Sequence, residues 1–314
     1  MTHHQIEPER ATLHGHWSRD LPPVLTIDPG DTVQFRTLDA AWCIEKPATP
    51  KRPDIRFEPR DPQLDAGHAL CGPVAVRGAE PGMVLAVTVE ELRTGTWGWN
   101  GSGGQWLEEA GEPLGALAKD FYYLWTLDPD NGVGRNQSGH EVRLSPFMGV
   151  MGMPADEPGV HSTRPPRTNG GNIDCKELVV GSTLYLPIAV RGGLFSTGDG
   201  HAVQGDGEVS GTAIECPMDR CVLRFDLRDD WALTTPRAHT AEGWLTFGFH
   251  EDLNQATYIA LSAMLDLIME LHHVDRAQAL ALASVAVDLR VTQIVNAAQG
   301  VHAVLPHGAL LTAS

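Results

Sequence analysis

The chain has 314 residues, enough for one large core or two smaller ones. It carries 23 basic against 40 acidic residues, a formal charge of −17, which argues against a protein built to hold nucleic-acid phosphates or an anionic membrane surface and fits a soluble protein with a neutral or cationic substrate. Its hydrophobic share of 42% and charged share of 20% are ordinary for a globular chain, and 33 glycines with 22 prolines favour many short strands.

Five cysteines, Cys43, Cys71, Cys175, Cys216 and Cys221, form no C-x-x-C pair, which predicts reduced thiols in a cytoplasmic protein. Residues 1–11 are polar and lack an apolar signal core, and no apolar run approaches the roughly 20 residues that span a bilayer.

Along the chain, His14 and His16 read as part of a solvated leader. Residues 24–27 and 32–38 read as strands around the turn Asp28-Pro29-Gly30-Asp31, with Pro and Gly where a type II turn prefers them. Asp39 ends the second strand, as a turn residue or as a ligand. Residues 40–66 are charged and irregular, and the proline-rich piece 47–62 is a surface excursion that either covers a pocket or simply varies. Trp42, Cys43 and Glu45 at its start are placed to face the same pocket as Asp39. His68 reads as structural. A second Pro-Gly turn at 78–82 leads into a strand over 83–92. Residues 97–104, with Trp97, Trp99 and several glycines, read as a mobile loop, either a lid or a plain loop anchored by its tryptophans.

Residues 121–127 predict a strand, and 147–152 an apolar, glycine-broken stretch passing under a site. Residues 184–190 predict a strand in which Pro187 marks an edge or bulge. Strands are also expected over 209–216 and 221–227. The period then changes: 253–271 carries a helical apolar stripe, and Asp275 with Gln278 reads as a capping box opening a second helix to about residue 289. Residues 291–297 and 301–305 return to strand. The expected fold is therefore mainly β (α+β). A β-sandwich or jelly-roll-like body over 1–230 carries the site. A C-terminal α/β part over 231–314, with two helices, packs on it as one compact unit.

The chemistry concentrates in two stretches, Gly170-Gly171-Asn172-Ile173-Asp174 and Gly198-Asp199-Gly200-His201 running on to Gln204-Gly205-Asp206-Gly207-Glu208. Asp199 and His201 are two apart, so extended chain points both to one face. Asp206 and Glu208 repeat that spacing, and Asp174 can arrive from a neighbouring strand's end. Gly and Asp are common turn residues, but this density of acids with one imidazole favours a site. One His with several carboxylates suits a divalent metal of intermediate hardness, zinc or manganese, with an open position. Such an ion lowers the pKa of bound water and polarises a carbonyl.

On these residues the chain resembles the acetamidase/formamidase family nearly end to end. The resemblance also rests on Thr37-Leu38-Asp39-Ala40, Gly67-His68 with Gly72-Pro73, Gly78-Ala79-Glu80-Pro81-Gly82, His161-Ser162-Thr163, and Gly300-Val301-His302-Ala303. It implies hydrolysis of small aliphatic amides such as formamide or acetamide to the acid and ammonia, with relatives that open cyclic amides (γ-lactams). It implies a divalent metal, zinc first with calcium as a second ion, and a homodimer or homotetramer. Carried onto this chain, it draws the metal ligands from Asp39, Asp174, Asp199 and His201. Glu208 and Glu215 become the proton-transfer candidates, and Trp42, Trp99 and Asn172 are set against the substrate. The family often has a Gly-Gln or Asp-Gly stretch after Asp39; here Ala41-Trp42-Cys43-Ile44-Glu45 puts a bulky ring near the metal. Two rivals stand beside this reading: a nucleophilic Cys175 with Lys176 and Glu177, and a non-catalytic β-sandwich that holds calcium and binds a ligand. A serine route through Ser162 or Ser196 lacks the G-x-S-x-G elbow.

Overall fold

The computed structural model describes residues 1–102 and 120–311. A long antiparallel pair, Val84–Thr94 against Met218–Arg228, sits inside the larger packing scheme. Leu85, Val87 and Val89 face Leu223 and Phe225 in the apolar core. On the other face Arg220 meets Glu91 at 2.8 Å and Arg224 meets Glu90 at 3.1 Å. Alternation with a period of two is what a sheet with one buried and one wet face requires. Thr32–Phe35 and then His3–Ile6 extend this pair on one side. Thr183–Pro187, Arg237–His239, Gly243–His250, Gln299–Pro306 and Asp288–Gln293 extend it on the other, giving a nine-stranded sheet. Strands from both sides of residue 230 therefore share one hydrogen-bonded sheet.

The second sheet has eleven strands among the described residues. Its centre carries Trp97–Ser102, Glu215–Cys216, Phe195–His201, Phe147–Gly152 and Gly170–Asn172 as neighbours in that order, and Leu70–Val76 also pairs with Phe195–His201. Met148, Met151, Phe195 and Cys216 from this sheet join the apolar cluster that includes Leu85, Val87, Leu223 and Phe225 of the first. Two sheets sharing one core make the fold a sandwich. The protein is mainly β with two helices near its C-terminus.

Helix α1, Leu253–His272, begins where the Asp252 carboxylate accepts the Gln255 N–H at 2.9 Å. Helix α2, Arg276–Ala286, opens with the full capping box of Asp275 and Gln278. Ala256, Ala260, Met264 and Ile268 of α1 pack with Val301, Ala303 and Leu305 in a second cluster. The helix can lie this close because Gly248 offers no side chain: a Cβ there would sit 2.0 Å from the Ala256 carbonyl oxygen. No helix among the described residues is long and apolar enough to cross a membrane.

Four local expectations change. Residues 97–102 are a strand, not a loop, because Phe121–Asp128 pairs with them along their length; residues 103–104 lie outside the described residues. Pro187 ends an interior strand, opposite Val84, rather than marking an edge. The strand expected over 209–216 shortens to Glu215–Cys216. The second helix stops at Ala286, and the chain re-enters the sheet at Asp288.

Gly248→Ala should lower stability by roughly 1–3 kcal/mol through overpacking, because the clash is with helix backbone and no rotamer change relieves it. The midpoint of denaturant unfolding checks this; an unchanged midpoint would show that α1 can stand off the sheet.

Candidate metal and catalytic site

The sheet register builds the site. Trp99 is paired with Glu215, Glu215 with His201, and His201 with Phe147. Residues directly opposite in neighbouring strands share a face, so one row presents an indole, a carboxylate, an imidazole and a phenyl ring side by side. Asp199 lies two residues before His201 on the same strand. Asp174 arrives just past the strand Gly170–Asn172, as its position two residues beyond Asn172 requires. Four positions that present side chains here hold a left-handed backbone: Trp42 (φ 68°), Asp174 (54°), Asp199 (59°) and Glu208 (44°). Non-glycine residues avoid this region, and such outliers gather where geometry serves a site.

His201 Nε2 lies 3.3 Å from Asp199 Oδ1 and 3.4 Å from Glu215 Oε2. Ligand atoms of Asp174, His201 and Glu208 lie within 4.8 Å of one another, and so do those of Asp199, His201 and Glu215. All five residues are buried. Burial pushes Glu208 up to about 7 and Glu215 up to about 8, and burial with the Glu208 charge raises Asp174 well above the usual carboxylate range. Burial works against ionised Asp199 too, but the adjoining His201 outweighs it and holds that carboxyl low. Burial would lower His201; the Glu215 and Asp199 carboxylates reverse this and raise it.

The floor opens into a pocket of about 410 Å³, lined by Trp42, Trp99, Asn172, Asp174, Asp199, Glu208 and Glu215 among others. The three residues expected against substrate are thus all on its wall. Asn172 donates its amide N–H to the Arg164 carbonyl at 3.0 Å, while its Oδ1 is buried with no partner. Trp42 donates Nε1–H to the Gly67 carbonyl at 2.8 Å, and Trp99 donates to Asp39 Oδ2 at 2.8 Å.

Asp39 stands apart from the two ligand groups. Its other oxygen accepts the Cys43 N–H at 2.5 Å, so both oxygens already serve backbone or indole donors, and burial raises its carboxyl to about 6. Asp206 leaves the site altogether: it is exposed and paired with Lys176 at 2.9 Å. That pairing also removes Lys176 from Cys175. The Cys175 thiol is buried, donates to Glu177 at 3.2 Å, is raised by burial well above the ordinary thiol value, and is not on the pocket wall. A buried, protonated thiol is a poor nucleophile.

Three groups escaped the sequence reading. His68 lines the pocket, with Nδ1 2.8 Å from Thr163 Oγ1, and burial lowers its pKa; the Gly67-His68 motif was the available signal. Asn296 donates to Asp174 Oδ2 at 2.7 Å from a stretch expected to be strand. Arg52, Arg56, Arg60 and Arg164 line the pocket as well. His14 and His16, expected in a solvated leader, are buried, and His14 Nε2 is 2.9 Å from Ser196 Oγ.

The donor set fits a divalent cation. Asp174 Oδ1, His201 Nδ1 and Glu215 Oε2 are buried without a hydrogen-bond partner. Among the described residues no Lys or Arg forms an ion pair with Asp174, Asp199, Glu208 or Glu215. Buried carboxylates in this number demand a compensating positive charge, and mixed oxygen and imidazole donors suit zinc-like ions. Gly149 lies against this cluster: a Cβ there would be 2.7 Å from Asp174 Oδ1, 2.7 Å from Asp199 Oδ2 and 2.8 Å from His201 Cε1. Gly149→Ala should therefore abolish metal retention while far-UV circular dichroism stays unchanged; elemental analysis of the purified variant checks it, and full metal occupancy would overturn the placement.

Comparison with known proteins agrees with this architecture. The pattern of the Acetamidase/Formamidase family matches residues 2–158 and 155–309. The chain is 29% identical over 248 residues to a formamidase of Methylophilus methylotrophus and 30% identical over 256 residues to a putative formamidase of Schizosaccharomyces pombe. These alignments cover 63% and 64% of this chain, and the chain spans 60% of the length of either relative. A crystal structure of an acetamidase from Yersinia enterocolitica superposes with a TM-score of 0.83 at 27% identity, covering 99% of this chain and 94% of that one. With its family pattern matched along nearly the whole sequence, the chain belongs to the acetamidase/formamidase family.

Proposed function

We propose that the protein is a metal-dependent amidase that hydrolyses the C–N bond of a small amide to the carboxylic acid and ammonia. The observation that carries this reading is the floor itself: His201 among buried carboxylates, three polar atoms without partners, and a pocket opening directly above. The relatives named formamidase and acetamidase support the reaction class.

Asp174, Asp199 and His201 are the residues that would hold the ion. When bound, a divalent ion there supplies Lewis-acid polarisation and a water of lowered pKa. The chain's own groups do the rest. Glu208, on the pocket wall, takes a proton from the attacking water and returns it to the departing nitrogen, since expelling an amine requires its protonation. Glu215, anchored through one oxygen by the Ala213 N–H at 2.9 Å, keeps its other oxygen unpartnered at the site and is the second proton-transfer candidate. Asn172 Oδ1 accepts an N–H of the substrate amide, satisfying its own vacant acceptor. Trp42 and Trp99 wall the pocket and limit water.

Two further features belong to the same proposal. The five cysteines are all free and buried, which supports a reducing, cytoplasmic setting. Tyr258, Leu271, Leu280 and Val285 expose apolar surface on the two helices, which supports assembly into a homodimer or homotetramer.

Ammonia release from formamide, acetamide and propionamide, with ring opening of γ-butyrolactam, tests the reading before and after chelation. Activity should vanish on chelation and return with one of zinc, manganese or calcium. Turnover indifferent to chelation would overturn it. A melting temperature that falls on chelation, with no amide ever hydrolysed, would favour a structural ion in a binding protein. In the same assay Glu208→Gln should cost roughly 10²–10⁴ in kcat while the metal content is kept; full activity would remove Glu208 from proton transfer.

A further inference from the structure

The pocket has a second chemical pole that a simple aliphatic amide does not use. Arg52, Arg56, Arg60 and Arg164 line it, in a chain with 23 basic residues and a charge of −17. The first three ride on the proline-rich excursion. Among the described residues Arg52, Arg56 and Arg164 form no ion pair, and Arg60 has only Glu58, at 3.7 Å. The Nε atoms of Arg56 and Arg60 are buried with no hydrogen-bond partner. None of the four pairs with the carboxylates of the floor, so they do not neutralise it directly.

Two of these guanidiniums lie beside the pocket's aromatic rings. Arg52 is 5.9 Å from the centre of the Trp99 ring and Arg60 is 5.7 Å from that of Trp42. Such cation–π contacts position a guanidinium without consuming its charge, which a carboxylate can meet in two parallel hydrogen bonds. Arg10 also approaches Trp42, at 5.7 Å, but its edge is taken by Asp65 at 2.6 Å, and it is not on the pocket wall. A one- or two-carbon amide would leave most of the 410 Å³ empty and, among the described residues, the Arg52 and Arg164 guanidiniums without an ion-pair partner.

We propose that the pocket selects amides whose acyl chain ends in a carboxylate, the monoamides of dicarboxylic acids. The amide carbonyl sits on the acidic floor and the distal carboxylate is taken by the arginine wall. This inference rests on the amidase reading. Water adds across the C–N bond: the acyl carbon gains the hydroxyl oxygen, the nitrogen leaves as ammonia with the protons it needs, and the product is a dicarboxylate. An acidic floor repels such an anion, so a cationic wall is what admits it and orients its amide end inward.

The test compares glutaramate with the uncharged pentanamide on the metal-loaded protein. Hydrogen bonds to a charged group at the wall should favour glutaramate by roughly 10- to 100-fold in kcat/KM, chiefly through KM because the contact lies away from the reacting atoms. The ratio should fall as salt rises. Arg52→Gln and Arg164→Gln, both at exposed positions, should each collapse the ratio. If the arginines only temper the floor, these variants would change both substrates alike, and the proposal fails. Hydrolysis of both amides at equal efficiency would overturn the substrate class and leave the amidase reading standing. Calorimetric binding of glutaramate separates the remaining cases. Binding that is lost in Arg164→Gln, with no hydrolysis of any amide, would keep the carboxylate-binding wall and overturn the amidase reading. Absence of both binding and hydrolysis would overturn both.

Discussion

The structure depends on placing several carboxylates and one imidazole together out of water. Asp174, Asp199, Glu208 and Glu215 are buried around His201, and no Lys or Arg among the described residues answers them. Taking each ionised group out of water costs several kcal/mol, even after relaxation. The arrangement is tolerable only with a bound cation or with protons shared among the acids. Burial raises Glu208 to about 7 and Glu215 to about 8, the direction in which a proton can stand in for a cation. The neighbouring sequence is organised around that strain: Gly149 leaves room, and three of the acids stand on left-handed backbone that costs of order 1–3 kcal/mol each.

A sandwich is a suitable support for such a cluster. The register of a strand with one buried face is strongly specified, because a slip of one residue turns every side chain over. Met148, buried in the core and opposite Gly200, therefore helps hold in register the strand that carries Asp199 and His201, and Glu215 is aligned with His201 from the next strand. The nine-stranded sheet and α1 lie away from the pocket and supply the apolar mass that offsets the cost of the polar floor.

How much of this could be read from the sequence depends on how local each signal is. Asp199 and His201 were legible because a period of two on a strand is a local rule; the structure puts both on one strand and brings their side chains together, although Asp199 itself leaves the extended conformation. Asp206 and Glu208 have the same spacing, but the chain has left the strand there. Glu208 turns inward on a left-handed residue while Asp206 goes out to Lys176. The capping box at Asp275 held because it needs only four consecutive residues. The stretch 97–102 was misread because its glycines suggest a loop, while its pairing partners lie at 121–128 and 215. Asn296 and the arginine wall were invisible for the same reason, since their meaning comes only from what distant chain segments they meet.

Asp39 explains how the wall and the floor are joined. Its backbone carbonyl accepts the Trp42 N–H at 3.1 Å, one carboxylate oxygen accepts the Cys43 N–H, and the other accepts the Trp99 indole N–H. Trp42 and Trp99 are the two rings beside which the Arg60 and Arg52 guanidiniums lie. The irregular excursion is tied back near this point, where Ile44 and Ile55 are joined at 3.0 Å and Phe57 and Trp42 at 2.8 Å. One buried residue thus meets the start of the excursion through its carbonyl and one carboxylate oxygen, and the Trp99 ring through the other. Of the residues that would hold a cation, Asp199 and His201 sit on a strand and Asp174 just past the end of another, where geometry is rigid. Arg52, Arg56 and Arg60 sit on a proline-rich segment with few backbone ties, where composition can change without disturbing the floor. Burial raises the Asp39 carboxyl to about 6, while the Trp99 and Cys43 donors at this junction favour its ionised form.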